Sequence, residues 1–173
     1  MKRIILMVLY NIILVPYLYF KLCYYASHAD KYPEAERYEV LKLIDRRAMK
    51  GGRITIDAHG VENLPAKDGF MFFPNHQGLF DVLAILQACP RPFSVVMKKE
   101  IQNTPFLKQV FQCMKAYALD RDDVRQSMKV IQQVAVEVKN GRNYLIFAEG
   151  TRSRNKNELL EMKGGSFKSA TKS

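Results

Sequence analysis

The sequence predicts an α/β domain whose mostly parallel or mixed sheet is flanked by helices. Three observations carry this. Residues 70–73, 93–97 and 144–147 are short, near-continuous apolar runs, the signature of strands covered on both faces. Stretches of helical period lie between them, and strands alternating with helices are the pattern of a parallel sheet. The apolar share is 48% of 173 residues, enough for one buried core, so disordered, collagen-like and low-complexity classes are excluded.

The elements follow in order. After Met1-Lys2-Arg3, residues 4–20 are apolar except for Asn11, with Pro16 inside the run and Lys21 after it. A spanning helix needs ~20 apolar residues, so this length is borderline. The basic start and Tyr17, Tyr19, Tyr24 and Tyr25 at the far end predict an N-terminal apolar membrane helix over 1–28, dipping into the lipid–water boundary or crossing it. A signal peptide is the rival, with Ser27 and Ala29 as a cleavage site; the internal Asn and Pro and the bulky tyrosines argue against it. Residues 29–52 form an amphipathic connecting helix, with Ala35, Tyr38, Leu41 or Leu43, and Ile44 on one face and Gly51-Gly52 as its stop. The domain proper spans 53–173. It begins with Arg53-Ile54-Thr55-Ile56-Asp57, which alternates like a strand. Helices are expected over 81–88 and 105–114, with a short strand over 116–119. A longer helix carries Val124, Met128, Ile131, Val134 and Val138 on one face, capped by Asp122 or Asp123.

A net charge of +10 suits an anionic membrane surface, a phosphorylated substrate, an acidic protein or nucleic acid. No basic–aromatic stripe or nucleic-acid motif supports the last of these. Cys23, Cys89 and Cys113 are odd in number and lack C-x-x-C spacing, which points to reduced thiols rather than disulfides or zinc.

His76 follows the 70–73 run through Pro74 and Asn75, and Asp81 lies five residues on. A loop at the carboxyl end of a strand is where α/β sheets place ligands. On an ideal helix, residues five apart point about 140° away from each other. Contact therefore needs a turn, and Gly78 supplies a place for one. A carboxylate there fixes the imidazole tautomer and stabilises imidazolium as it forms. His28 and His59 read as solvated or structural. Phe147-Ala148-Glu149-Gly150-Thr151-Arg152-Ser153 is a second cluster at a strand exit, with glycine for close approach, a guanidinium fork for phosphate, and hydroxyls. Lys98-Lys99 and Asp120-Arg121 leave two further strands. Each alone reads equally as a charged loop; what joins them is position. There is no Walker loop, dinucleotide fingerprint or nucleophile elbow. A His–Asp base with no side-chain nucleophile needs a substrate that brings its own hydroxyl, and acyl transfer to a phosphate-bearing alcohol fits.

Asn75-His76-Gln77-Gly78-Leu79-Phe80-Asp81 resembles the N-H-x-x-x-x-D block of the glycerolipid acyltransferases, and residues 147–153 resemble their F-P-E-G-T-R-S block. The 68-residue step from Asp81 to Glu149 suits that family. Lys98-Lys99-Glu100-Ile101, Pro105-Phe106 and Leu119-Asp120-Arg121 resemble its middle block, and Gly60-Val61-Glu62-Asn63-Leu64-Pro65 its G-x-E-N-L-P lead-in. The resemblance covers about residues 52–168 and is closest to the bacterial 1-acyl-glycerol-3-phosphate acyltransferases. Ala148 stands where Pro is usual, Gly78 where Ser is common and Lys115 where Gly is common.

The resemblance implies that His76 is general base on the free hydroxyl of lysophosphatidate, oriented by Asp81. It implies that Glu149, Gly150, Thr151 and Arg152 hold the glycerol phosphate, with Lys98, Lys99 and Arg121 adding positive charge. It implies acyl-ACP or acyl-CoA as co-substrate, no cofactor and no metal, and a catalytic domain at the cytoplasmic face of the cell membrane. The same blocks serve acyltransferases acting on glycerol 3-phosphate or another lysophospholipid, and a non-catalytic membrane-surface lipid-binding protein would keep the fold. Lys163-Gly164-Gly165-Ser166-Phe167-Lys168 resembles the start of a family helix, and the V-P-V-type strand beyond it is not in this sequence. The domain is therefore expected to be incomplete at its C-terminal end, with residues 144–147 left as an open apolar edge.

Overall fold

The computed structural model describes residues 2–78, 80–153 and 158–171. The chain opens with two helices, α1 (Lys2–Tyr10) and α2 (Val15–Ser27), bent by 93°, where a single apolar helix was expected. The exceptions inside the apolar run make the break. Pro16 sits in the first turn of α2, where its missing N–H leaves no bond unmade. Buried Asn11 donates from Nδ2 to the Met7 carbonyl at 2.8 Å and to the Arg47 carbonyl at 2.9 Å, pinning the turn onto the next helix. Among the described residues no single helix is long and apolar enough to cross a membrane.

That next helix is α3 (Glu34–Gly52), and α1 packs along it. Gly51 and Gly52 do not stop α3; they form its last turn. A Cβ on Gly51 would lie 3.0 Å from the Met7 Cα, so the absent side chain is what admits α1. The stop falls on Arg53, at φ +52°, with the Ile54 N–H returning to the Met49 carbonyl at 3.0 Å. Residues 53–57 are an unpaired connection instead of the expected strand. Alternation of side chains is not enough for a strand without a neighbouring edge to pair with.

Four strands and four helices follow: β1 (Met71–Phe72), α4 (Asp81–Ala88), β2 (Ser94–Lys98), α5 (Leu107–Met114), β3 (Tyr117–Leu119), α6 (Val124–Lys139), β4 (Tyr144–Ile146) and α7 (Lys168–Thr171). Helix α5 begins two residues later than Pro105 suggests. Phe106 is held at φ +68° in a tight turn, with the Leu107 N–H on the Pro105 carbonyl at 2.9 Å. Asp123 caps α6, accepting the Gln126 N–H at 3.0 Å.

The sheet is parallel throughout, in the order β1-β4-β2-β3. Tyr144 pairs with Met71 on one side and Ser94 on the other, so β4 is interior and the open edge expected there does not exist; the edges are β1 and β3. Side chains alternate across the sheet. Val95 and Leu145 join a core with Leu22, Tyr38, Leu41, Leu86, Phe93 and Cys113 from the α2–α5 side. Val96, Tyr144 and Ile146 join a second core with Val130, Val134 and Val138 of α6. The result is three layers. Because every strand runs the same way, all four strand exits reach one edge of the sheet.

Candidate active site

The loop leaving β1 carries His76, and α4 begins at Asp81. His76 Nδ1 lies 2.7 Å from Asp81 Oδ2, with both side chains about one-fifth exposed. The same oxygen accepts the Gln77 N–H at 2.8 Å and the Gly78 N–H at 3.0 Å. Asp81 thus draws the loop around itself, and the contact across five residues arises because His76 lies outside the helix. Gly78 is not needed to bend it: its φ is not positive, and a Cβ there would meet nothing within 4 Å. With Nδ1–H given to the carboxylate, the imidazole keeps a bare Nε2, the state of a general base. The ring stacks on Phe147, centroids 4.0 Å apart and planes 26° from parallel.

The loop leaving β4 is laced to this one. Glu149, expected among the glycerol-phosphate contacts, is only 3% exposed, and both its carboxylate oxygens are used by backbone. Oε1 accepts the His76 N–H at 2.8 Å and Oε2 accepts the Leu160 N–H at 3.1 Å. The Ser153 N–H donates to the His76 carbonyl at 2.8 Å. Gly150 lies at φ +72° and its carbonyl accepts from Arg121 Nη2. Thr151 and Arg152 are exposed.

The two lysines after β2 are each paired, Lys98 with Glu100 and Lys99 with Asp120, both at 2.7 Å. The Lys99 hydrogen bond holds Asp120 below the usual carboxylate range, and the same contact raises Lys99. Arg121, Arg152 and Lys163 make no ion pair among the described residues. The site therefore holds one oriented imidazole beside three uncompensated cations.

Residues 55–173 match the model of the Acyltransferase family. The chain belongs to that acyltransferase family. It is 29% identical over 119 residues to the 1-acyl-sn-glycerol-3-phosphate acyltransferase of Borreliella burgdorferi, covering 69% of this chain and 47% of that one. It is 31% identical over 100 residues to the enzyme of the same name from Pseudomonas aeruginosa, covering 57% of this chain and 38% of that one. The chain thus spans about half or less of the length of these curated relatives. The crystal structure of PlsC, the 1-acyl-sn-glycerophosphate acyltransferase of Thermotoga maritima, superposes with a TM-score of 0.72 at 20% identity, over 99% of this chain and 70% of that one. The α/β fold with its parallel sheet is shared.

Three features of this site are invisible to sequence reasoning. Phe147 opens the second cluster, but nothing in the sequence marks it as the platform under His76. Gln126 reads as a surface position of α6. Its amide donates to the Ala118 carbonyl at 2.8 Å and accepts the Asp120 N–H at 2.9 Å, standing in for a strand at the exit of β3. Lys163 reads as the start of a helix, and its stem lies over Gly150. Neither residue lies within the blocks that mark the site, and both act through tertiary contact.

Proposed function

We propose that the protein moves a fatty acyl group from a thioester, acyl-ACP or acyl-CoA, to the free hydroxyl of 1-acyl-glycerol 3-phosphate, giving phosphatidic acid for phospholipid biosynthesis. The observation that carries this reading is the His76 Nδ1–Asp81 Oδ2 contact of 2.7 Å at a sheet edge rich in unpaired cations. His76 Nε2 takes the proton of the acceptor hydroxyl. The alkoxide oxygen bonds to the thioester carbonyl carbon, the C–S bond breaks, and the departing thiolate recovers the proton from the imidazolium. Asp81 orients the ring and balances its transient charge. Arg121 and Arg152 hold the acceptor's phosphate, with Thr151 and the backbone of Gly150 beside them. Lys98 and Lys99, each paired with an acid, flank the same edge and add little net charge to it. Glu149 acts through the fold, tying the two loops together. The reaction balances with the thioester as co-substrate and calls for no cofactor or metal.

The same reading puts α1 and α2 at the membrane surface on the cytoplasmic side. Ile13 is 90% exposed and Phe20 72%, and α1 buries no residue, so a broad apolar surface flanked by Lys2, Arg3 and Lys21 is open to lipid. Basic charge also attracts acidic acyl carrier protein.

His76→Ala tests the reading. Loss of a general base costs ~10²–10⁴-fold in turnover. With labelled thioester and lysophosphatidate, the variant should melt like the parent and transfer almost no acyl group. Near-normal turnover would sink the mechanism.

A further inference from the structure

Gly150 is the point where cations from two remote segments converge. Its φ of +72° is a conformation glycine adopts without penalty. A Cβ built there would lie 3.3 Å from Arg121 Nη2, 3.3 Å from Lys163 Cε and 3.5 Å from Lys163 Cδ. The bare backbone is therefore what lets both side chains in. Each is also tied to the same loop. Arg121 Nη2 donates to the Gly150 carbonyl, and the Lys163 N–H donates to the Ala148 carbonyl at 2.9 Å. These bonds tie the Arg121 guanidinium and the backbone of Lys163 to that loop. Among the described residues, neither cation has a carboxylate in ion-pair reach.

Two like charges gathered over one glycine repel each other, and the arrangement is relieved when an anion enters. A phosphate monoester carries ≈ −1.5 to −2 charge and several acceptor oxygens, which suits a guanidinium fork and an ammonium together. We propose that Lys163 is a ligand of the acceptor's phosphate, forming with Arg121 a two-cation clamp across Gly150. This rests on the reading that the site acylates a phosphate-bearing alcohol. In 1-acyl-glycerol 3-phosphate the free hydroxyl and the phosphate ester sit on adjacent carbons, so base and clamp must be neighbours. They are: Glu149, next to Gly150, holds the His76 N–H at 2.8 Å.

The test compares Lys163→Met with Lys163→Arg in the full chain, reading the acceptor and thioester KM separately. Loss of one charge-assisted phosphate contact should raise the acceptor KM roughly tenfold to a hundredfold in Lys163→Met. The thioester KM and the melting temperature should stay where they were, and Lys163→Arg should recover most of the loss. An unchanged acceptor KM overturns the assignment. So does a rise confined to the thioester KM with acyl-CoA, which would give Lys163 to the donor's phosphates. If the parent chain does not acylate lysophosphatidate at all, the functional reading fails, and ³¹P NMR titration with glycerol 3-phosphate decides the clamp alone. Binding by the parent that Lys163→Met loses supports it; equal binding, or none by either, refutes it.

Discussion

The two ends of β4 employ cations in opposite ways. At the amino end Arg142 is bonded through all three of its nitrogens. Its Nε meets Glu34 at 2.7 Å, Nη1 meets Glu137 and the Tyr144 hydroxyl at 2.6 Å each, and Nη2 donates to the Met114 carbonyl at 2.7 Å. Glu137 also accepts from the Tyr117 and Tyr144 hydroxyls at 2.5 Å. At the carboxyl end Arg121, Arg152 and Lys163 form no ion pair among the described residues, and the nearby carboxylates serve other masters: Asp81 the imidazole, Glu149 the backbone. A guanidinium whose three nitrogens are all bonded joins elements of the fold. One left without a counter-charge is available to a ligand.

Removing Arg142 should cost the most. Arg142→Ala strands two carboxylates at a packed, part-buried junction, and breaking a buried pair costs at most roughly 3–5 kcal/mol. Urea denaturation should show that loss, while activity per folded molecule changes little. A loss below ~1 kcal/mol would erase the contrast between the ends.

Arg152→Ala is the mirror experiment. Its melting temperature should match the parent, while the acceptor KM rises roughly tenfold to a hundredfold and the thioester KM holds. A donor-side effect instead would move Arg152 to the thioester site.

The Arg142 network also sets an acid limit. Burial pushes Glu137 up, but hydrogen bonds from Tyr117, Tyr144, Arg142 and Gln133 together outweigh it and bring its pKa down to about 2. A carboxylate depressed in the folded state stabilises above its ordinary pKa of 4.5, and that contribution is lost as pH falls from there toward 2. Glu137→Gln should therefore flatten the stability profile between pH 5 and pH 2, at some cost to stability near neutrality. An unchanged slope would mean that the network carries no pH-dependent stability.

The smallest effect is expected at Lys115, a cation at the amino end whose pairing is exposed. It meets Asp30 at 2.5 Å, yet its backbone is held at φ +50° where α5 ends. An exposed ion pair is worth ~0–1 kcal/mol, and the left-handed conformation costs a side chain about 1–2 kcal/mol. Lys115→Gly should leave stability unchanged or raise it by up to ~1 kcal/mol. A marked loss would mean that pairing counts at this end even without burial.

Local pattern determined much of this protein. The alternation of strand and helix, the Asp123 cap of α6 and the strand-exit position of each chemical cluster follow from residues close together in sequence, because period and capping are properties of short segments. The His76–Asp81 pair was legible for the same reason, with both partners inside one loop and the turn after it. The inward face of α6 was legible only in its second half, since Ile131, Val134 and Val138 pack inward with Val130 while Val124 and Met128 are exposed. What the tertiary structure alone decided involves segments far apart in the chain. It put β4 between β1 and β2, left residues 53–57 without a strand partner among the described residues, and made Gly51 and Gly52 a seat for α1 instead of a stop. It also spent Glu149 on two backbone N–H groups, paired Lys99 with Asp120, and brought Lys163 over Gly150. A charge in a sequence does not carry its partner with it. Whether it braces the fold or waits for a ligand depends on which distant group packing brings within about 3 Å, and only the folded chain fixes that.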